Sequence, residues 1–275
     1  FALHKAALVL CGIVPADCDP ALPVADLLRP LGYGLRLSTQ TSIPRGSGLG
    51  TSSIMAGAVL SCLARMQGLE RTQAQLFNDV LTTGGGWQDQ VGGLCGGIKL
   101  ATTAPGLPQQ IQVEPVALSP QTEAELSRRL LLVYTGQQRL AKNLLRAIMG
   151  RWMARDPEMT WILAEIARLA VAMRAALAGS DLDGFGRLLS EHWVLNKRMD
   201  PGCTNPFIDG LFAFMAPYIN GGKLAGAGGG GFAIAIARSG EAAQDLAAAL
   251  QKRYRGTGVA IWPVAVPAAG LNIQG

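Results

Sequence analysis

The chain has 275 residues, of which 49% are hydrophobic and 16% are charged, and its formal net charge at pH 7 is +5. This composition excludes an intrinsically disordered chain and predicts a large apolar core. The basic residues are scattered and form no dense block, which argues against a nucleic-acid-binding surface. Five cysteines stand far apart without a Cys-x-x-Cys pair, so neither a disulfide framework nor a zinc site is expected.

The first forty residues predict two helices and one strand. The apolar run over residues 6–14 predicts a buried helix. Residues 22–31 predict a short helix that Pro23 and Pro30 interrupt. Residues 35–42 alternate between apolar and polar side chains, which is the pattern of a strand.

Residues 44–53 form the first glycine segment, Pro-Arg-Gly-Ser-Gly-Leu-Gly-Thr-Ser-Ser, and an apolar run predicts a helix over 52–66 directly after it. A glycine turn that opens into a helix directs backbone N–H groups and the positive end of the helix dipole at one point. Such a turn binds phosphate, and neighbouring hydroxyls can ligate Mg²⁺. A glycine turn with a simple Ser/Thr helix cap is the alternative. No lysine follows the last glycine, so the segment differs from the usual P-loop.

Residues 82–93 form the second glycine segment, which follows a predicted helix over 72–81. It places one carboxylate, Asp89, between two glutamines. A lone aspartate in a loop is usually a solvated turn residue, but the nearest charges in the sequence are Arg71, Asp79 and Lys99, so Asp89 is not part of a charged surface run. The ordinary pKa of aspartate lies well below neutrality, and we therefore expect Asp89 to be an anion without special tuning.

The middle of the chain changes from strands to helices. Residues 97–101 and 110–114 predict two paired strands across a Pro/Gly turn, and residues 130–135 predict a fully apolar strand. Prolines and polar residues between these strands mark the predicted domain boundary, which divides the chain into residues 1–125 and 126–275. Helices are predicted from residue 139 through Trp152 and over residues 164–178, 183–197 and 206–218.

The third glycine segment is the run Lys-Leu-Ala-Gly-Ala-Gly-Gly-Gly-Gly-Phe at residues 223–232. Its glycines, Gly226–Gly231, are called the glycine loop below. Flexible linkers carry polar neighbours, whereas this loop stands between two apolar runs and predicts a strand, a tight loop and a second strand over residues 223–237. A helix over 242–253 and a strand over 259–266 complete the predicted α/β layer.

Together, the three glycine segments resemble those of the GHMP family of small-molecule kinases, which includes galactokinase and mevalonate kinase. Within this family, residues 82–99, 132–145 and 199–203 are most similar to the corresponding segments of L-fucokinases. The resemblance implies an α/β (α+β) fold with two domains, an N-terminal α/β domain and a C-terminal α/β plait with added helices.

The resemblance also implies a role for each matching residue. Asp89 would face the acceptor hydroxyl as a general base or an electrostatic anchor, and Ser52 would contact Mg²⁺. The nucleotide phosphates would be bound by residues of the first glycine segment: Arg45, Gly46, Ser47, Gly48, Leu49, Gly50, Thr51, Ser52 and Ser53. Residues of the third segment would lie near the acceptor: Gly226, Ala227, Gly228, Gly229 and Gly230. Residues beside the catalytic aspartate would contact the substrate: Gly86, Trp87 and Gln88.

Two features depart from the family pattern. Nothing before Thr39 resembles the motif with which fucokinases grip the sugar, so we expect an N-terminal piece to be missing from this chain. The family also has a metal-ligating glutamate on the helix before the catalytic loop. Here the chain is a few residues shorter, and Asp79 is the nearest carboxylate and hence the candidate second Mg²⁺ ligand.

Three functions follow as hypotheses. The first is an ATP-dependent, Mg²⁺-dependent sugar-1-kinase that phosphorylates L-fucose. The second is a related kinase of another sugar, such as a heptose phosphate, and the third is a nucleotide-binding module without catalysis. For the kinase we expect small-molecule partners, a cytoplasmic location and fusion to a nucleotidyl-transferase domain outside this chain; neither nucleic acid nor a membrane is expected as a partner.

Overall fold

The computed structural model describes residues 2–19, 21–44, 46–72, 75–76, 87–106, 109–138 and 142–272. They form two compact units. Unit 1 comprises Phe1–Ser42, Gly50–Gly96 and Ala268–Gly275, and unit 2 comprises Ile43–Leu49 and Gly97–Pro267. The sequence predicts a single boundary at residue 125, whereas residues 97–125 belong to unit 2. There Glu114 pairs with Arg174 at 3.0 Å, a contact that the prolines near the predicted boundary do not reveal.

Unit 1 contains four helices among its described residues. These are α1 (Ala2–Leu10), α2 (Val24–Leu28), α3 (Thr51–Met66) and α4 (Gln88–Leu94), and one turn of 3₁₀ helix, Arg29–Leu31, follows α2. Helix α3 confirms the prediction over 52–66. The helix predicted over 72–81 lies largely outside the described residues, which there include only 72, 75 and 76.

The first predicted helix is displaced toward the N-terminus. Helix α1 ends at Leu10, and within it Ala7 is the buried residue. The buried Cys11, Ile13 and Val14 follow the helix instead of belonging to it. Gly12 has a φ of +67°, which a right-handed helix cannot contain, so the apolar run continues into a turn.

The strand predicted over 35–42 is wrong. These residues have no regular secondary structure, although Leu35 and Leu37 are half-buried while Arg36 and Ser38 are exposed. The alternation of side chains therefore describes their burial correctly. A strand also needs a partner for its backbone hydrogen bonds, and none of the described residues of unit 1 form a strand.

Helices α3 and α4 pack through reciprocal contacts between glycines and large apolar side chains. A Cβ at Gly57 would lie 2.5 Å from Cδ2 of Leu94, and a Cβ at Gly93 would overlap with the side chain of Ile54. Each helix thus inserts one apolar side chain where the other has a glycine. This packing fixes the position of α4, the helix that carries Asp89, against α3.

Unit 2 contains two antiparallel sheets. Strands β1 (Lys99–Thr103) and β2 (Ile111–Pro115) form the first and confirm the predicted strand pair. The second sheet has the order β4-β5-β3-β6 and all its neighbours are antiparallel; the strands are β3 (Leu130–Thr135), β4 (Ile219–Leu224), β5 (Phe232–Ala237) and β6 (Val259–Trp262). The predicted strand, loop and strand around the glycine loop are thereby confirmed.

Five of the six described helices of unit 2 correspond to predicted ones. The first, Pro120–Arg129, lies where the sequence predicts a domain boundary, because Pro120 occupies its first turn, where proline is tolerated. The six helices are α5 (Pro120–Arg129), α6 (Lys142–Met153), α7 (Pro157–Ala178), α8 (Leu182–Met199), α9 (Pro206–Met215) and α10 (Gly240–Arg253), with a 3₁₀ turn at Pro201–Cys203. Side chains accept hydrogen bonds from backbone N–H groups at the starts of several of these helices; for example, Asp156 caps α7 and Asn205 caps α9. These caps explain why the helices begin where they do.

The main core of unit 2 lies between the four-stranded sheet and the helices packed on it. Ile208, Leu224 and Leu246 are fully buried in it. Helix α8 approaches β4 closely, because a Cβ at Gly186 would lie 2.9 Å from Cβ of Asn220 and the Ser190 hydroxyl accepts the Gly222 N–H at 3.0 Å. The core therefore supports the strands that flank the glycine loop.

Among the described residues, we find no helix whose length and apolar character would allow it to span a bilayer.

The α3–α4 packing leads to a prediction with an internal control. Gly93→Ala should lower the free energy of unfolding by about 1–3 kcal/mol, because the new methyl group overlaps with Ile54. Gly92→Ala in the same helix meets nothing within 4 Å and should be neutral or stabilising by up to about 1 kcal/mol. Urea unfolding measures both. Equal effects of the two substitutions would contradict the packing described here.

Candidate functional site

The first group of candidate residues lies in unit 1, where α3 begins. Gly50 is the N-cap residue, and its carbonyl accepts the Ile54 N–H at 3.1 Å. The three hydroxyl residues that follow differ in exposure: Thr51 is half-buried, Ser52 is exposed and Ser53 is buried. Of these three hydroxyls, that of Ser52 is therefore the most accessible to a ligand from solvent.

Asp89 packs directly against this helix start. A Cβ at Gly50 would lie 2.9 Å from Cβ and 3.0 Å from Cγ of Asp89. Gly50 also has a φ of +67°, a conformation that side-chain-bearing residues rarely adopt. Glycine at position 50 therefore allows both the turn into α3 and the approach of the carboxyl group to the end of that helix.

The environment of Asp89 corrects one expectation from the sequence. Asp89 is in the first turn of α4, its side chain is exposed, and it forms no ion pair among the described residues. The protein atoms crowded around the carboxyl group nevertheless withdraw water from it, and this desolvation raises the pKa of Asp89 above its ordinary value. The surroundings of Asp89 therefore do shift its pKa, which the sequence did not predict.

The second group of candidate residues lies in unit 2, where residues 46–49 pack against the glycine loop. The Ser47 carbonyl accepts the Phe232 N–H at 3.0 Å, and Ser47 is buried. A Cβ at Gly48 would lie 2.6 Å from the carbonyl oxygen of Ala225. A Cβ at Gly231 would lie 2.6 Å from the carbonyl carbon of Ser47. The first and third glycine segments thus meet through backbone contacts that no larger residue would allow.

Hydrogen bonds from two further residues hold the glycine loop in place. The backbone N–H and the hydroxyl of Thr135 both donate to the Gly231 carbonyl at 2.9 Å, and the Gly231 N–H donates to the Gln137 carbonyl at 2.8 Å. The sequence resemblance includes Thr135 but gives it no role. A buried threonine at the end of an apolar strand is a signal that could have indicated this role, since buried hydroxyls need partners.

For several predicted residues, the structure gives a position but no contact that tests the predicted role. Trp87 is half-buried at the N-cap of α4 and Gln88 is the exposed first residue of that helix, so both stand next to Asp89. Leu49 donates its N–H to the Ser47 hydroxyl at 3.3 Å. Three predicted residues lie outside the described residues: Arg45, Gly86 and Asp79. The ligand contacts assigned to all of these residues stay predictions.

The donor set near α3 fits a magnesium ion bound together with phosphate. No group of three or more histidine, cysteine or acidic side chains that could hold a metal occurs in the described part of the chain. Mg²⁺ does not need such a group, because it takes one or two protein oxygens and completes its shell with substrate phosphates and water. The exposed Ser52 hydroxyl is an oxygen of that kind.

Two family models match this chain, one in each half, and both describe domains of GHMP kinases. Residues 21–97 match the GHMP kinases N terminal domain, and residues 173–256 match the GHMP kinases C terminal model. These two ranges together make up more than half of the chain.

Two curated relatives are similar over most of this chain. It is 40% identical over 258 residues to the bifunctional fucokinase/GDP-fucose pyrophosphorylase of Arabidopsis thaliana, covering 92% of this chain and 23% of that protein. It is 36% identical over 250 residues to the L-fucokinase/L-fucose-1-P guanylyltransferase of Bacteroides fragilis, covering 88% of this chain and 26% of that protein. The chain thus spans about a quarter of the length of these relatives.

The fold is also similar to that of a solved structure, a D-glycero-D-manno-heptose 1-phosphate kinase from Bacteroides thetaiotaomicron. The TM-score is 0.65 at 18% identity, and the similarity covers 100% of this chain and 75% of the other. At this identity the comparison bears on the fold alone, and it confirms the predicted mixture of helices and sheets.

The contact between Gly50 and Asp89 gives the second prediction. Gly50→Ala should push the Asp89 carboxyl group away from the start of α3, which relieves its desolvation and returns the pKa of Asp89 toward its ordinary value. Gly68→Ala is the matched control, because Gly68 has a similar φ of +72° but a Cβ there would meet nothing within 4 Å. Each substitution should cost about 1–2 kcal/mol of stability from backbone strain. Carbon-detected NMR titration of Asp89 measures the difference, and an unchanged pKa in Gly50→Ala would contradict the contact.

Proposed function

Because this chain belongs to the GHMP kinase family, we propose that it transfers the γ-phosphoryl group of ATP to the anomeric hydroxyl of L-fucose and so yields L-fucose 1-phosphate and ADP. The observation that carries the proposal is the packing of Asp89 against Gly50, at the start of the helix that follows the first glycine segment. The similarity to two fucokinase relatives at 40% and 36% identity supports L-fucose as the acceptor.

The proposed reaction uses the residues of this chain mainly for positioning and charge neutralisation, as phosphoryl transfer requires. The N-terminus of α3 attracts the phosphates through its backbone N–H groups and its dipole. The Asp89 carboxylate accepts the proton of the anomeric sugar hydroxyl. The hydroxyl oxygen of the sugar bonds to the γ-phosphorus, and the bond between that phosphorus and the leaving oxygen of ADP breaks. Within unit 2, the glycine loop offers backbone donors for an anionic group.

Ser52 would hold Mg²⁺ together with the nucleotide phosphates, and Asp79 is the candidate for a second protein ligand. When bound, Mg²⁺ neutralises charge on the transferring phosphoryl group.

The two fucokinase relatives are also a GDP-fucose pyrophosphorylase and an L-fucose-1-P guanylyltransferase, which favours a nucleotidyl-transferase domain joined to this kinase. Such a domain would consume the sugar 1-phosphate as it forms. The same proposal places the protein in the cytoplasm, because the reaction needs a supply of ATP.

A panel of acceptors tests the reaction. The purified protein is incubated with ATP, Mg²⁺ and L-fucose, D-galactose or a heptose phosphate, and ³¹P NMR identifies the product. We expect a sugar 1-phosphate with L-fucose as the preferred acceptor. A preference for the heptose phosphate would contradict L-fucose as the acceptor and favour the second hypothesis, a kinase of another sugar. Nucleotide binding without any phosphorylated product would instead indicate a module that has lost catalysis.

Asp89→Asn gives the third prediction. Loss of the proton-accepting carboxylate should lower kcat by roughly a hundred- to ten-thousand-fold while ATP affinity changes little. Asp245→Asn, which removes an exposed carboxylate from α10, is the control and should leave kcat unchanged. Steady-state kinetics and ATP titration measure both quantities. An Asp89→Asn protein that keeps most of its turnover would remove Asp89 from the mechanism.

The raised pKa of Asp89 predicts a pH dependence. The active form is the anion, so turnover should decrease as the pH falls through the pKa of Asp89, and this decrease should begin above the ordinary range for a carboxyl group. The residual turnover of Asp89→Asn should lack this acid limb. A wild-type profile whose acid limb is retained in the variant would assign it to another group.

A further inference from the structure

Lys223 is a desolvated cation with unused hydrogen-bond donors at the end of β4. Its Nζ donates to the carbonyl of Leu224 at 2.9 Å, at the point where the edge strand β4 leads into the glycine loop. An ammonium group has three N–H donors. Among the described residues, Lys223 has no other hydrogen bond and forms no ion pair. Two donors of a half-buried, desolvated positive charge therefore have no protein acceptor among the described residues.

Among the described residues, the groups that interact with Lys223 offer it no negative charge at neutral pH. His192 of α8 is near enough for the charge of Lys223 to act on it, and burial together with that charge lowers the pKa of His192 to about 4. Cys203 is the other neighbour, and burial raises the pKa of its thiol to about 11. Both are therefore neutral at pH 7. Three charged side chains influence the pKa of Cys203 but not that of Lys223: Asp200, Asp209 and Lys197.

Cys203 connects this charge to the glycine loop. The Gly229 N–H donates to the Cys203 carbonyl, and a Cβ at Gly228 would lie 2.6 Å from the same oxygen. The loop thus rests on the residue that neighbours Lys223. Lys223 itself stands three residues before the first glycine of the loop, on the strand that carries it. The positive charge is therefore placed at the base of the glycine loop.

We propose that Lys223 is a positioning residue whose half-buried positive charge stabilises an anionic ligand, the phosphate groups of a nucleotide, at the glycine loop Gly226–Gly231. This inference rests on the proposed function, because it takes the ligand of the loop to be a nucleotide. An isolated buried ammonium destabilises a folded protein, and such groups concentrate where a ligand of opposite charge compensates them. The two unused donors of Lys223 are suited to that compensation.

The effect of Lys223 on stability has the opposite sign to that expected of a structural residue. Burial lowers the pKa of Lys223 to about 8, which is below the value of about 10.4 for an unfolded chain. The folded protein therefore holds this proton less tightly than the unfolded chain, and the charged form lowers the free energy of unfolding at pH 7. Removing the charge should leave the stability unchanged or raise it, while anion binding becomes weaker.

The experiment measures the affinity of a non-hydrolysable ATP analogue and of inorganic tripolyphosphate by calorimetry, without sugar. Lys223→Met keeps the length of the side chain but removes the charge, and it should weaken both ligands roughly tenfold to hundredfold at pH 7.5, as expected for lost hydrogen bonds to a charged group. The melting temperature of Lys223→Met should not fall. Lys252→Met removes an exposed lysine of α10 and is the matched control; its affinities should equal those of the wild type.

A pH series separates the charge of Lys223 from its shape. The affinity of the wild type should decrease as the pH rises above about 8, because the ammonium loses its proton. In Lys223→Arg the side chain stays charged, so the ratio of wild-type to variant affinity should fall roughly tenfold or more between pH 7 and pH 9.5. The ratio cancels the ionisation of the ligand itself, since the same ligand is used for both proteins.

Four results would overturn the proposal. The first is an affinity of Lys223→Met within about twofold of wild type, which is below the effect of a charged hydrogen bond. The second is an equal loss of affinity in Lys252→Met, and the third is a ratio of wild-type to Lys223→Arg affinity that does not change with pH. The fourth is a wild type that binds neither ligand. If Lys223→Met does not fold, the pH series of the wild type and Lys223→Arg decides alone. If no sugar is phosphorylated but the binding results are as expected, the role of Lys223 in anion binding stands and only the proposed sugar acceptor is contradicted.

Discussion

The absence of a side chain at Gly50 is the constraint on which the candidate site in unit 1 depends. One hydrogen atom stands there between the start of α3 and the Asp89 carboxyl group, and any Cβ would lie within 3.0 Å of that carboxyl carbon. The reciprocal glycine contacts between α3 and α4 hold the two helices at this distance. Packing thus places a carboxylate beside a helix N-terminus, which is the element that favours phosphate.

Unit 2 also relies on positions without side chains, and there the contacts are made by backbone alone. Residues 46–49 and the glycine loop approach each other more closely than side chains would permit. Hydrogen bonds donated by Thr135 and Phe232, and one accepted by the Gln137 carbonyl, hold the two segments. Backbone groups that are fixed in this manner need no reorganisation when an anion binds. The charges near the two loops, Asp89 and Lys223, are both desolvated. Desolvation raises the pKa of Asp89 and lowers that of Lys223, so the charged form of each group carries a solvation cost.

The sequence predicted the regular elements of unit 2 well, because strands such as β3 and capped helices such as α8 carry local signals. It failed over residues 35–42, where the alternation of side chains describes burial but hydrogen bonding depends on a partner strand that the pattern does not include. The three glycine segments were found as motifs, and their similarity to known kinases assigned the family. The sequence could not reveal the raised pKa of Asp89 or the role of Thr135, since both arise from residues that the chain brings together from distant positions.

A crystal structure with a non-hydrolysable ATP analogue, Mg²⁺ and L-fucose tests the central claim most directly. The account predicts that the triphosphate lies at the N-terminus of α3, with a carboxylate oxygen of Asp89 within hydrogen-bond distance of the anomeric hydroxyl of the sugar. Phosphates bound away from the first glycine segment, or a sugar whose anomeric hydroxyl points away from Asp89, would contradict it.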